Sequence, residues 1–166
     1  MMLHLIMLAS MGGLANPCPE GVRDVSDLVH PWPDTDIGAK IQFYVERLGD
    51  TSYVAFRPLE DLCVEWYEAP EQLAIIGAPA LPDLIRVLAE SESPYEVTQV
   101  LYALKLAGQD HRIRLGLGIE TPRQLAAYPE PDEHAALRHA WMEWWHSYGA
   151  GIEATDLAMP QFGSEE

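Results

Sequence analysis

The sequence predicts an all-α domain of antiparallel helical hairpins, preceded by an irregular N-terminal arm. Three observations carry this. Apolar residues recur at helical spacing in five or more segments, whereas only residues 51–57 alternate, loosely, as a strand would. The cleanest segment, residues 76–108, holds two stripes: Leu81, Leu84, Ile85 and Leu88, then Val97, Val100, Leu101, Leu104 and Ala107. The break between the stripes, residues 91–94, is too short for anything but an antiparallel return.

Taken in chain order, residues 1–15 (MMLHLIMLASMGGLA) carry no charge besides His4 and end in the small residues Gly13 and Ala15. They predict a secretory leader, with a mature chain beginning near Asn16; the other reading is a buried N-terminal helix. The run is short for a membrane span. Residues 16–35 are rich in proline and without period, which predicts an extended arm anchored on the body by Trp32. The chain has two cysteines, Cys18 and Cys63. In an exported protein they pair; in a reducing cytosol both are free thiols.

The helical body runs over residues 36–148. Asp34, Thr35 and Asp36 supply cap chemistry for a first helix with the stripe Ile37, Ile41, Tyr44, Val45 and Leu48, ended by Gly49. Residues 51–57 are a short strand or a loop, stopped by Pro58. Residues 59–67 read as helix with Leu62, Cys63 and Trp66 on one face, and residues 71–76 as a short helix feeding the hairpin. Pro79 and Pro82 suit a first turn, and Gly108 suits a helix end. The stretch from Gly108 to Gly118 has no readable type. Thr121 and Pro122 open a short helix to Ala127, closed by Pro129 and Pro131. Asp132 caps the last helix, residues 133–148, which Gly149 and Gly151 end; residues 149–166 form an irregular tail.

The residues Ile76-Gly77, Ala80-Leu81-Pro82, Leu84-Ile85, Leu88, Ala103-Leu104 and Ala107-Gly108 resemble the HEAT-like helical repeat. The match spans about one repeat, residues 76–108. It implies antiparallel hairpins stacked into a short solenoid and a binding or scaffolding role. The Trp141, Trp144, Trp145 run resembles the aromatic C-terminal capping helix of some bacterial HEAT-like proteins.

Ten Lys and Arg against 26 Asp and Glu give a net charge of −16. Such a chain repels nucleic acid and anionic membranes, and a charged partner should be a basic protein. No G-x-S-x-G, P-loop or dinucleotide glycine pattern is present. On the last helix, His139, Glu143 and His146 share a face, with His134 one turn back. This face is the basis of an alternative reading as a metal-assisted hydrolase, although the pattern is not H-E-x-x-H and no metal or other cofactor is expected. Leu137, Trp141, Trp144, Trp145 and Tyr148 form the opposite, core-facing side. On the second hairpin helix, Tyr95, Gln99, Tyr102 and Leu106 lie away from the Val/Leu stripe. They form a partner-binding face, as the resemblance implies for second helices, or a surface covered by a later helix. The expectation is a non-catalytic protein-binding module, periplasmic or secreted, of the inhibitor or immunity type, with no stable membrane insertion after leader removal.

Overall fold

The structure, a computed structural model, describes residues 18, 23–32, 34–59, 62–109, 113 and 118–154. The expected leader and residues 155–166 of the expected tail lie outside these. Among the described residues there are five α-helices: α1 Ile37–Val45, α2 Glu68–Ile76, α3 Leu81–Glu90, α4 Pro94–Ala107 and α5 His134–Ala154. Two strands, β1 Ala55–Leu59 and β2 Leu62–Trp66, form an antiparallel hairpin in the register Ala55↔Trp66 to Leu59↔Leu62. The fold is therefore mixed α and β, which corrects the all-α solenoid.

The hairpin is where the helical reading of residues 59–67 fails. A helix of that length is marginal without strong packing on one stripe. Paired with β1, the same residues form a strand instead, with Cys63, Val64 and Trp66 half-buried and Leu62 and Glu65 exposed. Pro58 does not stop the strand. Phe56 N–H turns away from β2 and donates to Arg23 O at 2.9 Å. Pro58, two residues on, faces the same way, so its missing N–H costs the β1–β2 ladder nothing.

The helical hairpin is present. Ser93 caps α4 through Glu96 N–H, Pro94 occupies its first turn, and Ala107 ends it. Both stripes are buried, with Leu81, Leu84, Leu88, Val100, Leu101 and Leu104 fully so. Gly77, between α2 and the 3-10 turn Ala78–Ala80, has φ 76° and ψ −134°, a conformation open to glycine alone. It turns the chain by 115°. As a result α2 does not stack as a further layer but packs on α4, and α1 packs on α2 and α3. α5 closes the other side against α3 and α4, with Trp141 fully buried and Trp144 donating its indole N–H to Glu120 O at 2.9 Å.

Three further expectations are corrected. Residues 121–127 form no helix; Pro122 leads an extended segment whose turn is closed by Gln124 Nε2 donating to Ala126 O and Ala127 O. α5 runs through Gly149 and Gly151 to Ala154. Trp145 lies so close over Gly149 that a Cβ there would meet its ring at 2.6 Å, and burial of Ile152 offsets the helix cost of the glycines. Trp32 does not anchor the arm: it is 80% exposed. Leu28 enters the core instead, Tyr53 Oη donates to Val29 O, and Arg23 donates to Ser52 O. The arm is also tied covalently, by a Cys18–Cys63 disulfide. Such a bond suits an oxidising compartment. No single helix among the described residues is long and apolar enough to cross a membrane.

Candidate binding site: a tyrosine surface beside two carboxylates

Of the four residues expected on the outer face of α4, three remain accessible: Tyr95, Tyr102 and Leu106 are half-buried. Gln99 is not part of that face. It is 2% exposed, and its Oε1 has no hydrogen-bond partner among the described residues. The reason is that α4 is flanked by α2, α3 and α5, so its buried surface is wider than one stripe.

Two tyrosines from elsewhere complete the surface. Tyr67 immediately precedes α2, and Tyr128 lies in the segment before α5. The rings form a continuous row. Tyr95 and Tyr67 have centroids 6.5 Å apart, Tyr67 and Tyr128 5.2 Å, and Tyr128 and Tyr102 4.5 Å. Tyr128 is 41% exposed. These are tilted and edge contacts of the kind that aromatic quadrupoles favour.

Two carboxylates border the row. Tyr102 Oη donates to Glu71 Oε1, and Tyr67 Oη donates to Glu65 Oε2. Among the described residues neither carboxylate has a cationic partner, and none of them donates to the second oxygen of either. Burial pushes the Tyr102 phenol well above its ordinary value, and the hydrogen bond to Glu71 adds to this. Tyr67 is raised in the same way by burial and Glu65. Tyr95 and Tyr128 are raised too, mainly by burial and then by nearby carboxylates. All four therefore present neutral phenols at neutral pH, in a negative local field.

The elements that hold the row are well fixed. Glu68, 2% exposed in the first turn of α2, accepts from Trp66 Nε1 at 2.6 Å and Gln72 Nε2 at 2.8 Å. This sets the strand-to-helix corner that carries Glu65, Tyr67 and Glu71. The Tyr128 segment is pinned to α4 twice. Lys105 Nζ donates to Leu125 O at 3.1 Å, and buried His134 places Nε2 3.0 Å from Thr98 Oγ1 and 3.3 Å from Pro129 O. His134 thus leaves the surface face of α5 where the sequence placed it.

The His/Glu face of α5 is solvent-facing. His139 Nε2 lies 3.3 Å from Glu143 Oε1, both side chains are largely exposed, and His146 is exposed beside them. No group of three or more His, Cys, Asp or Glu among the described residues is arranged to hold a metal ion. Tyr148, expected in the core, is 44% exposed. Tyr67, Tyr128, Glu65 and Glu71 escaped the sequence reading because no periodicity links them to α4. Comparisons of the chain with protein-family models, with characterised proteins and with solved structures find no match.

Proposed function

We propose that this protein is a non-catalytic binding module, periplasmic or secreted, that docks a basic protein on the tyrosine surface. The observation that carries this is the row of four accessible tyrosines from three separate chain segments, beside carboxylates with no cationic partner among the described residues. Tyrosine supplies large contact area at low entropy cost and is enriched where interfaces concentrate their energy. The net charge of −16 would draw a basic partner in and speed encounter at low salt. An inhibitor or immunity-type role, masking a basic toxin or enzyme, fits this chemistry.

The experiment is capture of the partner from the native host's envelope or culture fluid, identification, and titration of the purified pair. Tyr102→Ala is expected to weaken binding by about 2 kcal/mol or more, roughly thirtyfold. It should cost clearly less stability than Leu104→Ala, which empties a fully buried site. Association should slow as salt rises. A captured protein that is acidic, or one bound equally well by Tyr102→Ala, would remove the proposal. Stoichiometric zinc in protein from the native host, lost on His139→Ala, would replace it with the hydrolase alternative.

A further inference from the structure

We infer that the element recognised on the tyrosine surface is an arginine side chain of the partner, its guanidinium laid on the Tyr102–Tyr128 part of the row and hydrogen-bonded to Glu71. This rests on the protein-binding reading above and narrows it to one chemical group. Three observations point to a flat, cationic donor. The ring row is negative on its faces and bordered by Glu65 and Glu71, which no Lys, Arg or His among the described residues neutralises. Glu71 Oε1 is occupied by Tyr102 Oη, which among the described residues leaves Oε2 as an acceptor, and the Glu71 carboxylate acts electrostatically on Tyr128. The tyrosines touch one another at tilts of 57° and 39°, so the row presents outward ring faces and encloses no gap. A compact ammonium is best served by a cage. A planar guanidinium stacks on one outward ring face while its edge N–H groups reach a carboxylate at the border.

The chain already uses this arrangement internally. The Arg47 guanidinium carbon sits 3.5 Å from the centroid of Phe43 while Nη1 donates to Phe43 O, and Arg57 sits 3.9 Å over Trp66. Those pairs hold α1 and the hairpin. The tyrosine surface lacks an equivalent cation from within the described chain, and the partner supplies it.

The test uses the full chain and two end-blocked peptides of equal length and charge, one with two arginines in a glycine–serine background and one with two lysines. Binding is read from NMR shifts of the tyrosine rings. The arginine peptide is expected to shift Tyr102 and Tyr128 first and to bind about tenfold more tightly than the lysine peptide, the order of a stacked and hydrogen-bonded cation. Glu71→Gln and Tyr102→Leu should each abolish the preference, with folding of each variant checked by its melt. Equal binding of both peptides, or tighter binding of the lysine peptide, would overturn the guanidinium assignment and leave the basic-partner proposal standing. Shifts confined to other tyrosines would overturn it too. Failure of both peptides, with the captured partner still lost on Tyr102→Ala, would also sink this inference alone. Failure of both peptides with capture unaffected by Tyr102→Ala would remove both.

Discussion

Glu68 shows how one side chain underlies the site without belonging to it. Its carboxylate is buried and has no ion pair among the described residues, which is costly unless donors surround it. Two N–H donors do so, from Trp66 and Gln72, and its place in the first turn of α2 adds the favourable end of the helix dipole. Removing the carboxylate strands both donors. Glu68→Ala is expected to cost about 3 kcal/mol, from the loss of two half-buried hydrogen bonds to a charged acceptor. Glu68→Gln, which keeps one acceptor, should cost less. Urea midpoints of the two variants check this, and equal stability for both would mean that the carboxylate contributes nothing its neighbours need. Because the corner it holds also carries Tyr67 and Glu71, Glu68→Ala should weaken partner binding without touching the partner.

At the scale of elements, what the sequence showed was what is local. The stripes of α3 and α4 and the cap chemistry before α1 are each written within a few residues, and each is found, the α1 cap at Asp36. β2 was misread because its partner strand, not its own spacing, decides its conformation; Leu62, Cys63 and Trp66 satisfy a helical face and a strand about equally well. Gln99 was misread for a related reason. Spacing can place a residue off the main stripe, but it cannot say how many neighbours a helix will have. Of the site, Tyr95 and Tyr102 were legible from α4 alone, while Tyr67 and Tyr128 join it only through tertiary packing. The Cys18–Cys63 link was legible as an alternative and is present. It closes a separation of 45 residues, for which chain entropy gives about 4 kcal/mol. Reduction, or Cys18→Ser with Cys63→Ser, should lower stability by an amount of that order. The arm should stay docked through Leu28 and the Phe56–Arg23 and Tyr53–Val29 bonds. Thermal melts with and without reductant, read beside hydrogen exchange at Phe56, separate the two effects. A melt indifferent to reductant would show that the bridge adds nothing to the folded state.

For the whole molecule, acidity and the tyrosines act in the same direction as pH rises. Six of the seven tyrosines, Tyr44, Tyr53, Tyr67, Tyr95, Tyr102 and Tyr128, have phenols held above the usual value of 10. Burial is the first cause in each, and neighbouring carboxylates add to it. Above pH 10 the unfolded chain gives up these protons while the folded chain keeps them. The folded state then binds more protons than the unfolded one, so stability falls with pH through the window between the ordinary and the raised values. Each phenolate formed also adds to a charge that is already −16, and self-repulsion opposes compactness further. The expected result is a melting temperature that declines from about pH 10 upward, with phenolate absorbance appearing later in the folded protein than in free tyrosine. Added salt should soften the part due to net charge more than the part due to buried phenols, because screening acts on exposed charges. Tyr102→Phe removes one raised phenol and should make the alkaline decline shallower. A melting temperature flat beyond pH 10, with phenols titrating as free tyrosine does, would mean that the rings of this surface are solvated. The tyrosine row on which the binding proposal rests would then not be formed.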